Sequence, residues 1–248
     1  MTAAVAIPAR LRSSRLARKV LCDIGGQTML RRTYEVAREA DCGPVFVLTD
    51  ADEVAAEARS FGAAVIMTDP ELDSGTARIA SVVARIGADI VINLQGDAPL
   101  TDPEVVARSV REARRSGAPI TIPVQRITSA EDVHDPSVVK VVRAGDGRAL
   151  YCSRSPVPYV RDAEPEAWPR AAGFWAHVGL YAYRREFLEA FGELPPSGLE
   201  HAERLEQLRW IEAGLRLHTF EVDAQGPSVD THADVERVRS LFTAGAAR

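Results

Sequence analysis

The sequence predicts an α/β protein with a mixed, mostly parallel central sheet flanked by helices, and an antiparallel hairpin excursion in its second half. Three observations carry this. Short apolar runs alternate with longer segments whose apolar residues recur at helical spacing. One run, DIVINL at 89–94, is close to continuously apolar, as in a strand covered by helices on both faces of a parallel sheet. Two strand-like segments, 138–143 and 149–153, are separated only by the turn Ala144-Gly145-Asp146-Gly147, which is the pattern of a hairpin and not of a crossover unit.

In chain order, residues 3–8 form a first strand, and 28–40 a helix in which Met29, Leu30, Tyr34, Val36 and Ala37 fall at helix-compatible positions. Strand 44–49, helix 54–61, strand 64–67, helix 77–86 and strand 89–94 continue the alternation. A helix at 103–115 and a strand at 120–124 precede the hairpin. Residues 156–173, with Pro, Trp and mixed charge, read as a loop or excursion. A strand at 176–183, helices at 185–191 and 199–213, a strand at 217–222 and a last helix at 233–244 complete the chain. No repeat or linker divides it, so 1–248 is read as a single domain, with 138–175 as an excursion used for dimerisation or as a lid.

Composition excludes several classes of function. At 46% hydrophobic and 26% charged, the chain is neither disordered nor fibrous. Its net charge of -5, with basic and acidic residues interspersed, provides no basic stripe for nucleic acid. Cys22, Cys42 and Cys152 are widely spaced and outside any C-x-x-C pair, which argues against a disulfide framework or a zinc site. The N-terminal apolar stretch is short and followed by arginines, the reverse of a secretory signal, and no apolar run approaches the roughly 20 residues of a membrane span. A cytoplasmic location is expected.

Chemistry concentrates first after the initial strand, in Pro8, Ala9, Arg10, Arg12, Ser13, Ser14, Arg15, Arg18 and Lys19. Ligands of α/β sheets sit beyond the carboxyl ends of strands, so a loop with five cations and two hydroxyls there suits a triphosphate. A solvated basic loop would have the same composition. Neither a Walker sequence nor G-x-G-x-x-G is present, which removes support for a P-loop kinase or a dinucleotide-dependent oxidoreductase.

The second concentration is Gln95-Gly96-Asp97-Ala98-Pro99, at the end of the most apolar strand. A carboxylate there is costly unless paired or metal-bound, so Asp97 is a candidate Mg²⁺ ligand. A turn or helix-capping Asp is the alternative. Asp230, between a strand and a helix, has the same two readings.

IPARLRSSRLARKVL, DSGTARI, NLQGDAPL, ALYCSRSPVP, HVGLYAYRREFL, LEHAERLEQLRWIEAG and SVDTHADVERVR resemble, in order and spacing, the 3-deoxy-manno-octulosonate cytidylyltransferase (CMP-KDO synthetase) family over nearly the whole chain. The resemblance implies a glycosyltransferase-A-like fold and an Mg²⁺-dependent nucleotidyltransferase that joins CMP from CTP to an acidic acceptor and releases pyrophosphate. It places Arg10, Ser14 and Lys19 on the triphosphate, beside Pro8 and Ala9, and Ser74, Gly75, Thr76, Arg78 and Gln95 around the nucleotide. Asp97 and Asp230 match metal-holding acids. Arg10, Lys19 and these two acids are the expected catalytic set, and Arg154, His177, Tyr181, Glu206 and Gln207 the acceptor set. Without the resemblance, His177 and Tyr181 read as half-buried residues on one face of one strand, and Glu206 and Gln207 as the solvated side of an amphipathic helix. No dedicated general base is apparent.

The chain departs from the family's usual LPGKPL, QGDEP and SGTER at Arg18, Ala98 and Ala77. Each change moves charge in the positive direction, and at an effective dielectric of about 20 two unit charges about 4 Å apart interact by roughly 4 kcal/mol. This favours, by a small margin, a phosphonate acceptor such as phosphonoformate over the sugar acid that the intact acceptor set suits. A catalytically silent nucleotide-binding relative is the rival reading, opposed by the presence of both acids. A homodimer is expected through 138–175, where Trp168, Phe174 and Trp175 offer aromatic area, with a lid over the acceptor as the alternative.

Overall fold

A computed structural model describes residues 1–11, 16, 18–223, 226, 229 and 231–245. Among them, ten strands form one sheet: β1 (Ala3–Pro8), β2 (Val45–Thr49), β3 (Ala64–Met67), β4 (Ile90–Leu94), β5 (Ile120–Arg126), β6 (Lys140–Arg143), β7 (Ala149–Ser153), β8 (Trp175–His177), β9 (Leu180–Arg184) and β10 (Leu217–Val222). Their order is β3-β2-β1-β4-β9-β5-β8-β6-β7, with β10 beside β5. The first four strands run parallel, as does β10 to β5. The other pairings among the described residues are antiparallel.

A mostly parallel sheet therefore holds for the first half, and the second half is mixed. The reason is connection length. Helices Met29–Glu39 and Asp52–Ser60 carry the chain over the sheet between parallel strands, whereas β6 and β7 are joined by a short turn. Neighbours joined that way reverse direction.

Every residue of β4 is buried, with Val91 in the core cluster on one face and Ile90, Ile92 and Leu94 in the cluster on the other. Burying a side chain of that size contributes about 1.5–3 kcal/mol, so this strand anchors both layers. β1 lies between β2 and β4, and the chain leaves it in one direction and returns on the other side. That reversal opens a crevice at the carboxyl ends of β1 and β4, which is where an open α/β sheet binds ligands.

Helix ends follow local chemistry. Thr28 caps Met29–Glu39 by accepting from Arg31 N at 3.2 Å. Asp102 caps Pro103–Ser116 through Glu104 N at 2.9 Å, with Pro at the first helical position and Gly117 at φ 64 after the last. The helix Ala130–His134, absent from the sequence reading, is capped by the Ser129 hydroxyl.

Three segments break where periodicity runs on. The helix read at 77–86 is two, Gly75–Ala80 and Val83–Ile86, and begins earlier because the Ser74 hydroxyl accepts from Ala77 N. The helix read at 199–213 is Gly198–Glu203 and Glu206–Glu212, parted by Arg204 at φ 54. The strand read at 176–183 divides at Val178 and Gly179, so β8 pairs with β5 and β9 with β4.

The excursion contains the short helix Trp168–Ala171. Trp168 is 4% and Phe174 1% exposed, packed with Ile127 and Val133. Trp175 is partly buried, with the Arg143 and Arg126 guanidiniums 4.5 and 5.3 Å from its ring. The aromatic area expected at an interface is thus used within the subunit, where it seats the excursion on its own sheet. No helix of the described residues is long and apolar enough to cross a membrane.

Candidate active site

The crevice is built by close approach of two strand ends. Gly96 follows β4, and a Cβ there would fall 3.1 Å from the Pro8 carbonyl oxygen and 3.4 Å from a Val20 methyl. A glycine suits this turn, since a side chain would crowd the end of β1. Thr33 Oγ1 donates to the Gly96 carbonyl from the flanking helix. At Gly75 an added Cβ would fall 3.3 Å from Pro8 Cγ.

The crevice presents Asp97. Lys19, at the start of a 3-10 turn, donates from Nζ to Asp97 Oδ2 at 2.5 Å, in a pair that is 12% and 24% exposed. The Val229 amide donates to the Asp97 carbonyl at 3.1 Å, so the chain immediately before Asp230 is tied to this turn. Asp230 itself and Ser14 lie outside the described residues, as do Arg12, Ser13 and Arg15. Ala9 is buried, and Arg10 is exposed at the end of β1. Gln95 Nε2 donates to Asn93 Oδ1 at 3.1 Å, which directs it along the strand end.

A second cluster joins residues far apart in sequence. The Glu206 carboxylate accepts from Ser74 Oγ at 2.8 Å and from Thr76 Oγ1 at 2.5 Å. Thr76 Oγ1 also meets the Tyr183 hydroxyl at 2.9 Å. Burial pushes the Glu206 carboxyl above the usual carboxylate range, against the opposing pull of the two hydroxyls. Tyr183, not singled out from sequence, is buried, and its hydroxyl is held well above its ordinary pKa by burial. Its signal was available, since it lies two residues from Tyr181 on one strand face.

The acceptor candidates converge beside it. Gln207 Nε2 donates to the Tyr181 hydroxyl at 2.7 Å and lies 3.4 Å from His177 Nε2. Burial pushes the His177 pKa down to about 4, so the imidazole is neutral at pH 7. The residues expected on one strand are on two, yet the strand break keeps their rings 5.1 Å apart. Gln207 is buried and Glu206 half-buried, in place of the solvated helix side that the sequence suggests.

Two candidates are also tied into the fold. Arg78 is 2% exposed, bonded to Thr68 Oγ1 and the Asp69 carbonyl and 3.5 Å from Asp50, where it ties its helix to the ends of β2 and β3. Arg154 spends its guanidinium on the Glu203 and Pro136 carbonyls. Its backbone amide, with the Ser153 hydroxyl, donates to the Glu203 carboxylate.

The charge argument for a phosphonate gains no support. Arg18 is paired with Glu53, which compensates its charge away from Asp97. Ala77 and Ala98 pack against the two core clusters.

A cytidylyltransferase family model matches residues 4–217. The 3-deoxy-manno-octulosonate cytidylyltransferase of Chlorobaculum tepidum is 41% identical over 248 residues, covering 98% of each chain, and that of Escherichia coli 44% identical over 241 residues, covering 97% of this chain and 96% of its own. A solved CMP:2-keto-3-deoxy-manno-octonic acid synthetase complexed with CTP superposes with a TM-score of 0.93 at 42% identity, covering 99% of this chain and all of its own. A glucose-1-phosphate thymidylyltransferase structure from Bacillus anthracis, at 17% identity and TM-score 0.70, shares the fold. With the strand-end crevice, the Lys19–Asp97 pair and whole-length similarity in agreement, the chain belongs to the cytidylyltransferase family and is a nucleotidyltransferase.

Proposed function

We propose that the protein transfers CMP from CTP to 3-deoxy-manno-octulosonate or a closely related 2-keto sugar acid, with release of pyrophosphate. The observation that carries this is the junction of two clusters: Ser74 and Thr76, at the start of the helix Gly75–Ala80, are bonded to Glu206, whose neighbour Gln207 is bonded to Tyr181. Two substrates held against these clusters would meet at the strand ends. An acceptor hydroxyl oxygen forms a bond to the α-phosphorus in line with the departing pyrophosphate, the α–β bridging bond breaks, and the acceptor proton passes to solvent. Lys19 and Arg10 supply positive charge for the phosphates, and neutral His177 with Gln207 orients the acceptor. Positioning and electrostatics account for most of the rate in this reading.

Asp97 fits a role as an Mg²⁺ ligand. It is a hard oxygen donor at the crevice, and a cation, the Lys19 ammonium, already lies against it. No group of three or more metal-type side chains converges among the described residues, so Asp97 and Asp230 would share the ion with phosphate oxygens and water. Bound there, Mg²⁺ would neutralise charge building on the phosphates.

We also propose a homodimer through the same excursion, by residues other than the buried Trp168 and Phe174. β7 is a terminal strand of the sheet whose Leu150 is 43% exposed, and Tyr159, further along the chain, is 75% exposed. A concentration-independent mass of one chain in light scattering would refute it.

The deciding assay is pyrophosphate release with CTP and Mg²⁺ against 3-deoxy-manno-octulosonate, other 2-keto sugar acids and phosphonoformate. Turnover of the first with none of the last supports the proposal, and the reverse overturns it. Asp97→Asn should lower kcat by about 10²–10³-fold, the scale of losing a key electrostatic group.

A further inference from the structure

Arg204 occupies a backbone conformation that disfavours its own side chain. It stands between Gly198–Glu203 and Glu206–Glu212 at φ 54, ψ 46, a left-handed position where Gly or Asn is favoured and other residues are strained. Strain of this kind persists only where the surroundings enforce it. Here they do. On one side the Glu203 carboxylate accepts from Ser153 Oγ at 2.8 Å, Arg154 N at 2.5 Å and the Tyr151 hydroxyl at 3.3 Å. On the other, Leu205 is buried in the core and Gln207 is bonded to Tyr181. The Arg204 amide itself closes on the Glu200 carbonyl at 2.7 Å.

The strained residue lines a cleft of about 560 Å³ that also includes Ser74 and Glu206, and so opens from the site already described. Its ionisable lining is mixed: Asp73, Glu200 and Glu206 against Arg204, Arg209 and His201. Arg209 is bonded to the Leu194 and Pro195 carbonyls, which leaves Arg204, exposed at the rim, as the guanidinium placed to meet a ligand. Interspersed carboxylates and guanidinium suit a chain of hydroxyl groups, which both donate and accept, better than a second acid group, which the three carboxylates would repel.

We infer that this cleft takes the hydroxyl-bearing tail of the acceptor and that Arg204 is a specificity-determining residue for it. The inference rests on the sugar-acid reading above and extends it to a part of the acceptor remote from the reacting oxygen. A contact there binds ground and transition states alike, so it acts on acceptor KM and not on kcat.

The test is Arg204→Gly, with Arg204→Asn as a second left-handed-tolerant substitution, compared with the parent chain by pyrophosphate release with CTP, Mg²⁺ and 3-deoxy-manno-octulosonate. Expected are a Tm no lower than the parent's, an acceptor KM about tenfold higher, and unchanged kcat and KM for CTP. A short 2-keto acid without the hydroxylated tail, used as a competitive inhibitor, should keep its Ki in both variants. An acceptor KM within twofold of the parent's in a variant of parental Tm overturns the inference, as does a Ki that rises alongside KM. A parent that turns over no sugar acid refutes the functional reading and this inference with it, whereas a parent that does so and variants of unaltered KM refute the inference alone.

Discussion

The Gln207 side chain donates to the Tyr181 hydroxyl across 26 positions of sequence, at 2.7 Å, in a place where Gln207 is 3% exposed. A buried hydroxyl whose partner is removed loses about 1–3 kcal/mol. Gln207→Leu should therefore lower Tm by several degrees and raise the acceptor KM, with KM for CTP unchanged. Adding Tyr181→Phe should recover part of the stability, since two apolar groups leave no orphan, while KM stays high. Thermal unfolding of the two single variants and the double variant checks this, and strictly additive losses would show that the bond is not a coupled unit.

His177 makes stability depend on pH with a definite sign. Its pKa falls from 6.5 to about 4 on folding. As pH drops through 6.5 the unfolded chain takes up this proton while the folded chain resists it. The stability is present above pH 6.5 and is lost toward pH 4, by up to about 3 kcal/mol. Burial pushes His218 in the same direction. Glu206, pushed up, slopes the other way, because its folded form holds its proton to higher pH. Denaturation midpoints at pH 7.5 and 5 should show the loss, and His177→Gln should make it smaller. An equal loss in that variant would show that His177 is not its source.

Arg18 is a second non-glycine residue in the left-handed region, at φ 57, ψ 29. Its family usually places Gly there, and the backbone explains why. The left-handed conformation costs roughly 1–2 kcal/mol, whereas an exposed pair such as Arg18–Glu53 contributes about 0–1 kcal/mol. Arg18→Gly should leave stability equal or up to about 1 kcal/mol higher, and acceptor preference unchanged. Urea unfolding and the acceptor panel test both parts; a shift of preference toward sugar acids would restore a role for Arg18 charge at the site.

Periodicity and motif order were sufficient for the parallel half of the sheet, for the strand ends that carry Pro8 and Asp97, and for the family. Those signals are local: apolar alternation, a Gly before a strand-end acid, seven motifs in register. Ser74 and Thr76 meeting Glu206, 132 and 130 residues away, have no local signature, and neither does the entry of β9 between β4 and β5. The break at Arg204 was also illegible, because the helical apolar pattern continues through it, whereas the strand break at Val178–Gly179 falls on a glycine, a signal the local sequence does carry. Aromatic content around Trp168 was visible, but whether it faced a partner or the subunit's own Ile127 and Val133 depended on how the excursion folded back. The sequence alone determined which groups the chain has for cytidylyl transfer and on which strand ends they begin. Tertiary structure decided which of them face one another, since side-chain direction across a sheet is set by long-range pairing and core burial, and these are properties of the whole chain.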